Sequence, residues 1–178
     1  LGSRTLGRGG GTALSGLVGL RLQPHLIDDL AAQLGHGCVL VTGTNGKTTT
    51  SRLLTQSVKR AGFNPLANSA GSNLMRGIAS TLVLSASPTG VLSDASNRLG
   101  VLEVDEAVLP LLVNRVRPRA ILFLNLFRDQ LDRFGEVDAV ASLWREMRKT
   151  TPQDVTLVLN ADDPAVASLG EGRDHVIY

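Results

Sequence analysis

The segment CVLVTGTNGKTTT at residues 38–50 limits what this chain can fold into more than any other. Cys38–Thr42 is a continuous apolar run, the pattern of a strand covered on both faces. A glycine-rich turn and a helix-forming run follow at once. Gly43 and Gly46 let the backbone fold into a nest whose amide hydrogens face an anion, and Lys47 brings a point charge. The N-terminal dipole of the following helix adds to that field, and the Thr48 hydroxyl can reach a magnesium ion. Gly43, Thr44, Asn45, Gly46, Lys47, Thr48 and Thr49 are therefore candidate phosphate-binding residues, with Lys47 the candidate catalytic group. The spacing is not the standard Walker one, since the position five before Gly46 is Val41 and not glycine. An ordinary strand-to-helix turn is the plain alternative, and Gly-Lys-Thr-Thr in this context argues against it.

The rest of the chain repeats the alternation. Pro24 opens a helix with Leu26, Ile27, Leu30 and Leu34 on one stripe, ended by Gly35. Further helices are expected at 47–61, 74–86, 106–114 and 137–149, with a helical turn at 164–169. Strands are expected at 64–68, 99–104, 120–126, 155–159 and 175–178. Strands alternating with helices predict an α/β fold, a mostly parallel sheet with helices on both faces. Residues 1–23 are rich in Gly and Arg and lack a clear period, so they read as a mobile lead-in to a domain over 24–178, with a short helical turn at 12–20.

Composition narrows the function. Of 178 residues 43% are apolar, within the globular range. The purely apolar runs span only a few residues, too short to cross a bilayer. Cys38 is the only cysteine, which excludes an internal disulfide and a zinc knuckle built by this chain, and it fits a reducing, cytoplasmic setting. Because it lies inside the first strand, it reads as a small core residue. The net charge of +2 conceals an asymmetry. Residues 1–93 hold eight Lys/Arg and two acids, whereas 94–178 hold ten and fourteen. An anion-binding half thus faces a half suited to cations. Only six aromatics are present and none interleaves with the arginines, so nucleic-acid binding is disfavoured.

Three more strings carry chemistry. LEVDE at 102–106 ends an apolar strand, where a magnesium ligand is expected beside a phosphate loop. Glu103 is the favoured ligand, and Asp105 and Glu106 read more simply as caps of the next helix. NLFRDQLDRFGE at 125–136 gathers Asp129, Gln130 and Asp132 after another buried strand. NADDP at 160–164 offers the Asn160 amide to a purine edge and Asp162 and Asp163 to a ribose. Taken alone, those two acids are better explained as caps of the helix that Pro164 opens.

Together the four strings resemble, in order and rough spacing, the central ATP-binding domain of the Mur ligase family, a P-loop-type fold. NSAGSNLMRG (68–77), LEVDEAVLP (102–110) and NLFRDQLDRFGEVD (125–138) are most similar to its MurT-type branch, the ligase subunit of lipid II isoglutaminyl synthase. The resemblance implies an ATP-dependent carbon–nitrogen ligase of peptidoglycan biosynthesis. Its acceptor would be the α-carboxylate of D-glutamate in the lipid II stem peptide, activated as an acyl phosphate and amidated to D-isoglutamine. It also implies ATP bound at 43–49, Asn160, Asp162 and Asp163, with Mg2+ held by Thr48, Glu103 and Gln130. Ammonia would come from a GatD-like glutamine amidotransferase partner. Asn68, Asn73 and Arg76 are the substrate candidates, and the setting would be cytoplasmic, at the inner face of the membrane. The four-cysteine zinc ribbon and C-terminal domain of that branch would lie beyond Tyr178, so this stretch alone is expected to be inactive. Many Mur ligases also carry a histidine in the third motif and, about fifteen residues later, a lysine carbamate that helps hold a second magnesium. Here Gln130 and Arg145 stand at those positions, and arginine cannot supply the neutral amine that carbamylation needs. An amino-acid ligase of the same family and a nucleotide-dependent switch protein are the competing expectations.

Overall fold

A computed structural model describes residues 14–68, 71–127 and 136–178 of the chain. The elements are α1 (Leu14–Leu22), α2 (Leu26–Ala31), β1 (Cys38–Thr42), α3 (Lys47–Arg60), β2 (Asn64–Ala67), α4 (Met75–Leu84), β3 (Arg98–Glu103), α5 (Leu109–Val116), β4 (Ala120–Phe123), α6 (Glu136–Thr150), β5 (Thr156–Leu159), α7 (Pro164–Ala167) and β6 (Val176–Ile177). All six strands pair in parallel in the order β2-β3-β1-β4-β5-β6. The expected α/β architecture is the observed one.

Side chains alternate across this sheet. Leu40, Leu102, Ile121, Phe123, Leu157 and Leu159 join Trp144 and the apolar stripes of α2, α4, α5 and α6 in one core. Burying each Leu, Ile or Phe there contributes about 1.5–3 kcal/mol. Val41, Val101 and Val58 of α3 are buried outside that cluster, so α3 covers the opposite face. Cys38 is fully buried, and desolvation pushes its thiol up to about 12, which keeps it an inert core residue.

Two expectations change. Residues 14–22 are not a mobile lead-in, because α1 docks on α4. The Gly16 N–H donates to Ser80 Oγ at 2.7 Å, and an added Cβ at Gly16 would lie 2.0 Å from the Arg76 carbonyl oxygen. The absent side chain is what lets the two helices approach, so α1 is part of the folded body. The strand expected at 120–126 ends at Phe123. Its neighbour β1 turns away at Gly43, so the last rung is Leu124 N–H to Thr42 O at 3.0 Å. From there residues 125–127 run along the glycine turn instead of extending a ladder.

Candidate functional site

β1 lies between β3 and β4, so the loops that leave all three strands converge where the glycine turn emerges. Open parallel sheets bind ligands at such carboxyl ends. Gly43 has φ +135°, and a Cβ there would stand 2.9 Å from both the N and O of Asn125. The turn is fastened to that segment at several points. Thr44 N–H donates to Asn125 O at 3.0 Å, and Asn45 N–H donates to Asn125 Oδ1 at 2.8 Å. Asn125 Nδ2 donates to Asn45 O at 3.1 Å, and the Phe127 N–H donates to Thr44 Oγ1 at 3.0 Å. Thr44 Oγ1 in turn donates to Phe127 O at 3.1 Å. Asn125 was not among the expected site residues, and its signal was its place at the head of NLFRDQLDR.

Gly46, left-handed at φ +86°, is the N-cap of α3 and offers no side-chain cap. The first-turn amides of a fourteen-residue helix are thereby left to an external acceptor. Lys47 Nζ donates to Thr44 O at 3.1 Å and to Gly43 O, and it pairs with Glu106 Oε1 at 3.1 Å. Only 14% of the Lys47 side chain and 17% of that of Glu106 are exposed. Glu106 is thus a partner of the loop lysine and not a helix cap. Its carbonyl accepts from Trp144 Nε1 at 3.0 Å, which ties this turn to α6. Asp105 does not cap α5 with its side chain either. Its Oδ1 accepts from the Ala107 N–H at 3.1 Å in the preceding turn, and α5, with Val108 at its N-cap, has no side-chain cap. Thr48 is half-buried and Thr49 exposed, both on the first turn of α3.

Glu103 is 4% exposed, and no hydrogen bond or ion pair reaches its carboxylate among the described residues. Its oxygens are not fully buried, so the carboxylate stays open to a cation arriving from the loop side. Thr42 Oγ1, buried at the head of the loop, is also without a partner. A magnesium ion fits the Glu103 carboxylate, since it takes few protein oxygens and completes its shell with phosphate and water. Thr42 lies on the other face of the sheet, because Val41 and not Thr42 is paired with Glu103. Among the described residues no three His, Cys, Asp or Glu gather as a preformed metal cage. Gln130, Asp129 and Asp132 lie outside the described residues.

The substrate candidates divide. Asn68 does not offer its amide to a ligand. Its Nδ2 donates to Glu103 O at 2.8 Å and Ser72 O at 2.9 Å, while its Oδ1 accepts the Glu103 N–H at 2.8 Å. It therefore grips the backbone of the favoured metal ligand. Asn73 lies beside the same turn, its carbonyl accepting from the Asp105 N–H at 3.1 Å. Arg76 is exposed on the first turn of α4.

In NADDP the expected nucleotide contacts Asn160 and Asp163 both make hydrogen bonds within the fold. Asp163, 5% exposed, accepts from the Ala165 and Val166 N–H groups through Oδ1 and from the Leu126 N–H at 2.6 Å through Oδ2. Both oxygens are consumed in capping α7 and anchoring the 124–127 segment. Asn160 Nδ2 donates to Leu124 O at 2.9 Å, and its Oδ1 accepts from the Asp162 N–H at 3.0 Å. Asn160 and Asp163 are thus tied to the backbone of neighbouring segments, and the Asp162 side chain is the exposed polar group of the trio.

Comparison with known proteins agrees with this geometry. The chain is 34% identical over 99% of its length to the MurT subunit of lipid II isoglutaminyl synthase (glutamine-hydrolyzing) of Staphylococcus aureus, and spans 38% of that protein. It is 35% identical over 88% of its length to the Streptococcus pneumoniae MurT subunit, spanning 33% of it. A UDP-N-acetylmuramate–L-alanine ligase of Nocardioides sp. is 36% identical over 86% of the chain, which spans 31% of that enzyme. Among solved structures, MurF from Acinetobacter baumannii superposes with a TM-score of 0.64 at 20% identity, covering 94% of this chain and 34% of MurF, a likeness of fold. Residues 41–176 match the Mur ligase middle domain, and the chain belongs to the Mur ligase family.

Proposed function

We propose that this domain binds ATP and magnesium and activates the α-carboxylate of D-glutamate in the lipid II stem peptide for amidation. The observation that carries the reading is the uncapped, Asn125-fastened glycine turn with Lys47 inside it and the enclosed, unpartnered Glu103 beside it. A carboxylate oxygen attacks the γ-phosphorus while the bond to ADP breaks, giving an acyl phosphate. Ammonia then attacks the acyl carbon, inorganic phosphate leaves, and the nitrogen loses a proton. Lys47 and the first-turn amides of α3 stabilise charge on the phosphates, so the protein's part is positioning and electrostatics. Magnesium, held by Thr48 and Glu103 with Gln130 contributing a neutral oxygen, would neutralise the transferring group.

Asn68 fixes the backbone of Glu103 and so the reach of its carboxylate. Asn73 and Arg76 lie on the adjoining turn, where an anionic lipid-linked substrate would find a basic half of the chain. The chain holds one cysteine, buried at Cys38, so ammonia is assigned to a GatD-like glutaminase partner. Among the described residues no helix is long and apolar enough to cross a membrane, and lipid II would be met at the inner membrane face. The similarity to MurT subunits over 99% of the chain favours amidation over amino-acid addition. The complete protein incubated with ATP, lipid II, glutamine and the glutaminase should give amidated lipid II. Product that incorporates an added amino acid instead would establish the amino-acid ligase. Nucleotide hydrolysis indifferent to any carboxylate would establish the switch protein.

A further inference from the structure

Glu106 has no part in the chemistry above, yet it is the acidic group that holds the loop lysine. Its carboxylate lies 3.1 Å from Lys47 Nζ, and both side chains are largely enclosed. The turn that presents it is fixed from two sides, by the Asp105 side chain at Ala107 N–H and by Trp144 Nε1 at the Glu106 carbonyl. Trp144 is itself 1% exposed and packs edge-on against Phe123 with ring centroids 4.9 Å apart. The carboxylate is therefore presented from a turn that the core holds in place. Its position beside a phosphate cradle is electrostatically adverse, since like charges at such distances repel strongly where water is scarce.

We propose that Glu106 is a positioning residue that holds the Lys47 ammonium over the loop and, by competing with phosphate for it, selects magnesium–ATP over metal-free nucleotide. The inference rests on the reading of residues 43–50 as a nucleotide cradle. A phosphate that draws Lys47 away leaves two enclosed carboxylates, Glu103 and Glu106, next to the triphosphate. Only a nucleotide that brings its own cation compensates both. Metal-free ATP must displace the ion pair and gains nothing for the released carboxylate.

The test is the ratio of ATP dissociation constants without and with magnesium, measured by calorimetry on the complete protein. Glu106→Gln should lower this ratio about tenfold, chiefly through tighter binding of metal-free ATP. Glu106→Asp keeps the charge but withdraws it from Lys47, and its ratio should fall only two- to threefold, on the order expected for a weakened pair. The aspartate variant also decides the matter if the glutamine variant fails to fold. An unchanged ratio in a folded variant overturns the role of Glu106 while leaving the cradle intact. Failure of the wild-type protein to bind ATP at all overturns the cradle and this inference together.

Discussion

Two strand-end turns of this chain look alike in sequence and do opposite things. GTNGKTTT follows β1 and NADDP follows β5, and both are short, polar and placed where ligands of parallel sheets bind. In NADDP the polar atoms are turned inward. Asp163 caps α7 and holds Leu126, and Asn160 spans Leu124 and Asp162. In GTNGKTTT the cap position is a glycine, so the helix amides stay open, and the fastening is done by Asn125 from outside. The two turns differ in where their hydrogen bonds end. The two are also coupled, because Asp163 and Asn160 anchor residues 124–126 and Asn125 clamps the glycine turn.

The sharpest separation should come from Lys47→Ala. Magnesium–ATP should raise the melting temperature of the wild-type domain and leave the variant unmoved, since the cradle loses the Lys47 ammonium. An undiminished shift would reduce residues 43–50 to a turn. Asp163→Ala should act on the other side of the comparison. Loss of a buried cap and of the Leu126 bond should cost about 2–4 kcal/mol in urea unfolding. Full stability with ATP binding lost would restore the ribose-binding role to Asp163.

Asn160→Ala should weaken ATP and GTP binding equally and by less than tenfold, as expected for a turn that supports the loop without reading a base. A loss confined to ATP would return the purine edge to Asn160. The smallest expected effect concerns carbamylation. Lys149, paired with Glu146 at 2.6 Å, and Arg145 lie on the exposed side of α6, opposite the buried Ala141, Trp144 and Met147. Ligase activity in carbon dioxide-depleted buffer should match that with bicarbonate, and Lys149→Arg should behave as wild type. Activity that bicarbonate restores, and that Lys149→Arg abolishes, would place a carbamate at Lys149.

The strand–turn–helix at 38–60 was legible in sequence because local physics decides it. A short apolar run bounded by a glycine turn fits a covered strand, glycine adopts the left-handed turn at least cost, and a long helix-forming run follows. The parallel sheet was legible for the same reason, since alternating strands and helices leave few other ways to bury both. The partners of polar side chains were not. Glu106 and Lys47 are 59 positions apart, Asn125 and Asn45 are 80 apart, and Asn68 and Glu103 are 35 apart. An Asp before a proline caps a helix or holds a ribose according to what the rest of the chain sets beside it. The docking of α1 was hidden as well, because Gly16 signals only the absence of a side chain and not the helix that comes to fill the space. Sequence determined which backbone shapes were affordable, and tertiary structure decided which polar atoms were left over for a ligand, because hydrogen-bond satisfaction is settled between segments that only folding brings together.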